Sequence, residues 1–589
     1  MRNKLNPDSL AAVGPKVSQY IAKFLKNNGV GCVFELSGGM IMDLIDSLYL
    51  EGGIEIVSVH HEQSAAFAAD AMGRLSGIPG VAIATSGPGA INLLTGIGSC
   101  FFDSSPAVFI TGQVKTNEQK GDKNLRQLGF QETDIVKMVA PITKSAYQVR
   151  TALEIPSVLA RAFRIAVEGR PGPVLLDIPM ELFRASIQVA APADFQGIPV
   201  STPQTGGALV KQLVGDMRRA KKPLILVGGG VRASGAFSLF KQLVARTKIP
   251  IVSSLLGLDC IPRDSPNSVG MIGTYGNRWA NLAVAEADLM LVLGSRLDIR
   301  QTGANTDSFK GQRTIYHVDI EPEEINNRVK GCVPILANLP EFITSILALL
   351  GDEEFPRNSN WEKCILELKQ KWPDTSELHD IRGINPNHFM HKLAVSRNAA
   401  VYSVDVGQHQ MWAAQSIDLF EGQRFITSGG MGAMGFGLPA AIGAAFYTKK
   451  EKPILVIAGD AGFQLNIQEL QTVMRNNLPI KIVIINNKCH GMTRQFQETY
   501  FQARYQATVW GYDAPDFERV AQAYGLEAST ISAPEEIEDA LAGFWREPLK
   551  PYLLQVMVDT YANVYPKMAF GKPISEMEPF AKPNEMEGT

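Results

Sequence analysis

At 589 residues the chain exceeds what one hydrophobic core can hold, and at roughly 100–200 residues per domain it divides into three or four, with three as the working count. Hydrophobic residues at 45% and charged residues at 20% fit an ordinary globular chain rather than a disordered or fibrous one. A formal net charge of −3 without a long Lys/Arg run excludes a broad surface for a phosphate backbone, so no nucleic acid is expected. No apolar run reaches the ~18 residues of a membrane span, and Met1–Pro15 is polar with no apolar signal core, so the expected location is the cytoplasm. The 6 cysteines are dispersed without a CxxC pair, which points to buried thiols rather than disulfides or zinc.

In chain order, short apolar runs end in Gly, Ser, Thr or Asp and pass into helix-like segments, as at Ala107–Gly112, Pro223–Gly230, Leu289–Ser295, Pro453–Asp460 and Ile480–Asn487. Continuous Val/Ile/Leu runs of this kind suit parallel strands covered by helices on both faces. The class is therefore α/β, with three doubly wound parallel-sheet domains. The first third carries VSVHHEQSAAFAADAMGRLSG, which puts Glu62 at a strand-to-helix transition, then the Gly-rich loop TSGPG and the strand end ITGQV. Taken alone, Glu62 would only favour the positive end of its helix. A stretch rich in Ala, Pro, Thr and Gly from Ala190 to Gly207 reads as a linker.

The middle third holds VGGGVRASGA at Val227–Ala236, VLGSRLDIRQTG at Val292–Gly303 and YHVDIEPEEIN at Tyr316–Asn326. A Gly-rich strand end before a helix is weak evidence for a dinucleotide, since many α/β turns need glycine without binding one. Composition shifts again between Gly351 and Asn387, around Trp361, Cys364 and Trp372. The expected domains are thus 1–189, 190–365 and 366–589, the last with a C-terminal active-site tail.

In the last third, Asp460 follows the strand ILVIAG and Asn487 follows IKIVII, 27 positions later. Neighbouring parallel strands joined by a helix would bring both oxygens to one sheet edge. Mg²⁺ prefers oxygen ligands and is often completed by phosphates, so Asp460, Asn487 and the Cys489 backbone carbonyl form a candidate metal half-site. Either residue alone would read as a cap or a strand end.

This last segment resembles the thiamine-diphosphate-dependent enzymes, whose GDG and NN motifs stand here as GDA and NN, with Ala461 at a position usually Gly and Gly462 next. DVGQHQMW at Asp405–Trp412 and GGMGAMGFGLPAAIGAA at Gly429–Ala445 continue the likeness. By resemblance, Gln408 and His409 touch the diphosphate, Met434 supports the bent cofactor, and Gly459 completes the metal turn. Glu62 becomes the carboxylate that promotes the reactive aminopyrimidine tautomer, and Gln113 an orienting group beside the reacting carbons. Lys144, in PITKSA, is a further site candidate.

Over nearly the whole length the likeness is greatest to the catalytic subunit of the acetohydroxyacid (acetolactate) synthases, carried also by FQETDI at Phe130–Ile135, GRPGPVLLDIP at Gly169–Pro179 and the C-terminal NVYPKMAFGKPISEM. That family implies pyruvate decarboxylation and transfer of the two-carbon unit to a second carbonyl substrate, by covalent chemistry on the cofactor. It implies a homodimer or homotetramer with active sites between subunits, Glu62 from one and Asp460 from its neighbour, and a possible regulatory subunit. It further implies FAD in the middle domain, held by Arg170, Gly228, Gly229, Gly230, Arg296 and Asp319. The acceptor pocket would comprise Phe130, Thr274, Arg300 and Phe496, where GMTRQFQ has Phe in place of the Trp of 2-ketobutyrate-preferring synthases, and GMIGTYG has Thr in place of a common Met. The retained Arg300 fork favours a carboxylate acceptor, hence acetolactate. Three alternatives stay open: a relative using another ketone or aldehyde such as a keto-sugar, a non-catalytic cofactor-binding scaffold, and simple decarboxylation to acetaldehyde.

Overall fold

The computed structural model describes residues 14–188, 206–351, 354–379, 381–396 and 398–585; all but the last two residues of the expected linker lie outside them. The first sheet comprises β1 (Cys32–Leu36), β2 (Glu55–Ser58), β3 (Gly80–Ala84), β4 (Ala107–Gln113), β5 (Ser145–Gln148) and β6 (Pro173–Pro179), in the order β2-β1-β3-β4-β6-β5. The second comprises β7 (Pro223–Val227), β8 (Ile251–Ser253), β9 (Ser268–Met271), β10 (Leu289–Leu293), β11 (Thr314–Asp319) and β12 (Val333–Leu336), in the order β12-β11-β10-β7-β8-β9. The third comprises β13 (Val401–Val404), β14 (Arg424–Thr427), β15 (Ile454–Gly459), β16 (Ile480–Asn486), β17 (Glu527–Ile531) and β18 (Tyr552–Met557), in the order β14-β13-β15-β16-β18-β17. Every pairing within these sheets is parallel. The α/β class with three doubly wound sheets is as the apolar runs require: β3, β4, β6, β15 and β16 are buried along their whole length because helices cover both faces.

The first sheet belongs to one compact unit, and the second and third sheets to another. In the first unit, helices Val17–Asn27 and Ile155–Val167 bury Phe24 and Phe163 in edge-to-face contact at 5.2 Å, while helix Glu62–Ser76 packs on β1 and β3. Among the described residues no helix is long and apolar enough to cross a membrane.

The helix Ser359–Lys371 packs on helix Arg278–Glu286, burying Trp361 and Ile365 in the core of the second sheet, and Trp361 Nε1 donates to the Pro223 carbonyl at 3.1 Å. The boundary expected at 365/366 therefore cuts a helix that belongs to the middle domain. Charged residues on its outer face gave it the composition of a connector.

Buried polar contacts tie the second sheet to the third. Arg424 Nε donates to Asp259 at 2.6 Å. The Arg278 guanidinium forks onto Glu377 at 2.7 and 2.8 Å and lies beside the rings of Trp372 and Phe580, at 5.2 and 4.8 Å from their centroids. A third tie is His391, whose ring nitrogens lie 3.0 Å from Asp374 and 3.2 Å from Asp418, the latter 3.5 Å from Arg263. Burial alone would depress the imidazolium, but the hydrogen bonds and charges of the two carboxylates outweigh it and lift His391 to about 9. The folded value lies above the unfolded value of about 6.5, so this contribution to stability is complete below that pH and is lost as pH rises through 9. The thermal midpoint should fall less steeply in His391→Gln than in the wild type over that alkaline window; equal slopes would remove His391 from the account.

Candidate active site

In the first unit, Glu62 opens its helix shortly after β2, with His61 as the N-cap whose ring accepts the Gln63 N–H at 3.1 Å. Glu62 is buried, and its Oε2 accepts from Asn92 Nδ2 at 2.9 Å. Asn92 ends the short helix that follows the TSGPG loop, and a side chain at Gly89 would come within 3.2 Å of Glu62 Oε1. The expected carboxylate and Gly-rich loop are thus brought together at the C-terminal edge of the sheet. Thr85 Oγ1 and Ser86 Oγ of that loop are buried without hydrogen-bond partners among the described residues.

One expectation for this unit does not hold, and a second is narrowed. Lys144 precedes β5, and its Nζ donates to the Glu168 carbonyl ahead of β6. In an all-parallel sheet that is the edge opposite Glu62, so Lys144 is not part of a site built around that carboxylate. Gln113 is buried at the end of β4 with both amide hydrogens engaged: Nε2 donates to Asp177 at 3.0 Å and the Thr133 carbonyl at 2.8 Å, and Oε1 accepts the Val114 N–H at 3.0 Å. It holds Asp177, whose carboxyl burial pushes up to about 6 against the bonds from Gln113, Thr111 and Gln148. Gln113 therefore braces the sheet edge instead of offering a free amide. Arg170 also lies ahead of β6, its Nε donating to Ser104 Oγ at 2.8 Å. Phe130 is 80% exposed. Its neighbour Gln131, passed over in the sequence, is a non-glycine residue at φ +66° lying against Gly87 of the TSGPG loop, and such strain marks functional loops.

In the third sheet the strand order reverses between β13 and β15, where ligands of doubly wound sheets bind. Asp405, just past β13, accepts the N–H groups of Val406, Gly435 and Gly437 at 2.7, 3.0 and 2.9 Å, fixing the loop that carries half-buried Met434. Burial pushes its carboxyl up to about 6. The sequence pattern contained Asp405 but offered no sign that three amides would converge on it. His409 is buried with one ring nitrogen bonded to the Asp405 carbonyl and Nε2 unpartnered, and burial pushes it down to about 3. Its ring occupies the space beside Gly459.

Asp460 starts the short helix Asp460–Gln464, so Ala461 sits in helical backbone without positive φ and the GDA variant costs nothing in strain. Gly462 leaves room for the Asp405 carboxylate. Asp460 Oδ2 is buried without a hydrogen-bond partner among the described residues, and burial raises this carboxyl to about 6. Asn487 follows β16 on the adjacent strand, and its Oδ1 accepts the Cys489 N–H at 3.2 Å. Burial lifts the Cys489 thiol to about 12, which leaves its backbone carbonyl as the usable donor. Among the described residues no group of three or more His, Cys, Asp or Glu could hold a metal. A cation here must take one carboxylate, neutral oxygens and phosphate oxygens, the donor set that suits Mg²⁺. Orphaned Asp460 Oδ2 and His409 Nε2 thus fit a metal-bound diphosphate. The Gln408 side chain is committed within the protein: Nε2 donates to the Ala562 carbonyl at 2.9 Å, and Oε1 accepts from Asn487 Nδ2 at 2.9 Å.

In the second sheet, the loops after β7, β10 and β11 lie on adjacent strands and carry Gly228–Gly230, Arg296 and Asp319. A side chain at Gly230 would come within 2.7 Å of the Gly294 Cα, and one at Gly228 would overlap the Gly294 carbonyl, so close loop packing by itself demands these glycines. Gly229 faces Leu256. Arg296 pairs with Asp298 at 3.5 Å, and Asp319 accepts the Glu321 N–H at 3.0 Å.

The same unit gathers three of the expected acceptor residues. Thr274 N–H donates to the Arg300 carbonyl at 2.6 Å, and the C-terminal strand residue Met568 donates to the Thr274 carbonyl at 2.7 Å. The positive charge of Arg300 acts on Tyr275, and the ring of Phe496 lies 4.9 Å from Tyr500. Tyr275, Tyr500 and the buried Lys567–Glu578 pair at 2.9 Å were not anticipated, since only the folded tail brings them to this place.

Comparison with known proteins matches residues 15–138 to the thiamine pyrophosphate enzyme N-terminal TPP binding domain, 210–346 to the central domain and 405–556 to the C-terminal TPP binding domain. The acetolactate synthase isozyme 2 large subunit of Escherichia coli (strain K12) is 38% identical over 95% of this chain and 98% of its own length. The acetolactate synthase large subunits of Porphyra purpurea and Lactococcus lactis subsp. lactis are 37% and 35% identical, over 94% and 95% of both chains respectively. With all three domains matched and the likeness running nearly end to end, the chain belongs to the thiamine pyrophosphate enzymes, in the acetolactate synthase large-subunit family.

Proposed function

We propose that this chain is the catalytic subunit of an acetolactate synthase, releasing CO₂ from pyruvate and joining the two-carbon unit to a second 2-keto acid. The observation that carries this is end-to-end similarity to such large subunits in a chain that keeps Glu62, Asp460, Asn487 and Arg300. Thiamine diphosphate, when bound, supplies the electron sink for decarboxylation. Asp460, Asn487 and the Cys489 carbonyl would hold Mg²⁺, with Gly459, Ala461 and Gly462 shaping the turn. The Gln408 backbone N–H at its helix start and the His409 ring would hold the diphosphate, and Met434 would support the cofactor. Glu62 would hold and return a proton at the aminopyrimidine ring. Phe130, Thr274, Arg300 and Phe496 would receive the acceptor. FAD would lie against Arg170, Gly228, Gly229, Gly230, Arg296 and Asp319. We place the working enzyme in the cytoplasm as a homodimer or homotetramer, with Glu62 and Asp460 of each site from different subunits and with room for a regulatory subunit. The linker at 190–207 would separate the first domain from the second, and the second would end after Lys371.

Product identification tests the reading. Pyruvate alone should yield acetolactate, and a mixture with 2-ketobutyrate should show only weak preference for acetohydroxybutyrate. Phe496 offers less aromatic area than Trp to grip the extra methylene, a difference worth about 1–3 kcal/mol. Phe496→Trp should raise that preference and Arg300→Gln should cripple condensation more than CO₂ release. A strong native bias to acetohydroxybutyrate would sink the pocket argument, and condensation only with a hydroxylated ketone or aldehyde would redirect the acceptor. The purified protein should also be yellow and release FAD on denaturation without consuming it. A colourless, fully active preparation would remove the flavin.

A further inference from the structure

We propose that the backbone carbonyl of Ala562, in the C-terminal segment, sets which end of the Asn487 carboxamide faces the metal, acting through Gln408. The inference rests on the metal-site reading above. A carbonyl can only accept a hydrogen bond, so the 2.9 Å bond from Gln408 Nε2 to Ala562 O, supported by a longer one at 3.4 Å from the same Nε2 to Gln495 Oε1, turns Gln408 Oε1 the other way. There Oε1 accepts from Asn487 Nδ2 at 2.9 Å, which engages the nitrogen of Asn487 and, together with the Cys489 N–H donated to Oδ1 at 3.2 Å, keeps Oδ1 as the end offered to a cation through its remaining lone pair. The inverted carboxamide would present N–H groups to Mg²⁺, a cation that takes oxygen ligands. Gly491 makes the relay possible, because any side chain there would overlap Gln408 Oε1.

The controlling carbonyl is itself held from helix Gly491–Tyr500. Arg494 Nη2 donates to Ala562 O at 3.0 Å. Gln495 clasps Val564, accepting its N–H at 2.9 Å and donating to its carbonyl at 3.1 Å. Gln408, Asn487, Arg494 and Gln495 are all buried, so water does not compete for these bonds. Gln495 is thus a positioning residue for the metal site, although it need not touch the metal.

The test is Mg²⁺ titration calorimetry of the full-length, metal-stripped protein in the presence of thiamine diphosphate, with thermal midpoints recorded alongside. Gln408→Leu and Gln495→Leu should each weaken Mg²⁺ binding by about tenfold or more, the usual effect of losing a partner that orients a ligand. The double variant should bind no more weakly than Gln408→Leu alone, since both changes cut one path. Asn487→Asp should recover more affinity in the Gln408→Leu background than it adds to the wild type, because a carboxylate shows oxygen either way round. Additive losses, an equal gain from Asn487→Asp in both backgrounds, or unchanged binding in Gln408→Leu would each overturn the relay. Should Gln495→Leu not fold, Gln495→Glu still accepts the Val564 N–H and should show a smaller loss in the same direction; no loss there would also overturn it. Asp460→Ala keeps the two ideas apart: intact Mg²⁺ binding in that variant defeats the metal-site reading, whereas loss there with none in the relay variants defeats the relay alone.

Discussion

Glu62→Gln is expected to lower acetolactate turnover by about two to four orders of magnitude, the range for a positioned acid–base group. The fold should not register the change. Glutamine has the same shape, and its carbonyl oxygen still accepts from Asn92 Nδ2, now at 2.9 Å from the Glu62 carboxylate, so no buried donor is orphaned. What the amide cannot do is take up and return a proton. Steady-state assays should therefore be paired with thermal midpoints and thiamine diphosphate binding, the last two near wild type. Undiminished turnover would reduce Glu62 to a helix-start charge, and a collapsed midpoint would make the activity loss uninformative about catalysis.

Asp460→Ala should have an effect as large on retention, with little change in the stability of the cofactor-free protein. Orienting partners of a metal ligand already cost about 10–100-fold in affinity when lost, so removing a ligand should cost more, and dialysed protein should come away without Mg²⁺ or thiamine diphosphate. In the cofactor-free protein, however, Asp460 Oδ2 is buried without a partner and burial raises its carboxyl. Replacing this carboxyl with a methyl removes the desolvation penalty of its orphaned oxygen, against the loss of its bonds from the Tyr512 hydroxyl and nearby backbone amides. The cofactor-free midpoint should change little, unlike that of most core truncations. Equilibrium dialysis and paired melts decide it: retained cofactor would defeat the ligand assignment, and a large drop in the cofactor-free midpoint would mean that Asp460 chiefly supports the turn.

The strands were legible because burial on both faces leaves no place for polar alternation, so β15 and β16 could be read directly from ILVIAG and IKIVII. From there it follows that Asp460 and Asn487 each leave the end of a strand. Strand neighbours are another matter, because apolar runs say which faces are covered and nothing about which strand lies alongside. Lys144 shows the consequence: a residue before a strand and one after a strand look alike until the parallel sheet puts them on opposite edges. Gln113 shows a second limit, since its amide is committed to Asp177, 64 positions away, through a pairing of β4 with β6 that no local pattern reports. The same holds for Gln408, whose partner Ala562 lies 154 positions on. Asp405 was hidden for a different reason, in that its three donors are backbone amides, which every sequence contains.

The first and third sheets share one strand order: second, first, third, fourth, sixth, fifth, whereas the middle sheet runs third, second, first, fourth, fifth, sixth. Such agreement gives both six-stranded units a reversal of strand order between their first and third strands, and so a crevice at the same place in each winding. The two crevices do not carry equivalent chemistry. At its strand ends the first holds a carboxylate and hydroxyl-bearing glycine loop, and the third holds an orphaned carboxylate and a carboxamide whose orientation depends on the tail. One winding thus furnishes two unlike crevices, the first suited to moving a proton and the other to anchoring charge, so that neither sheet by itself would hold the whole of the proposed reaction.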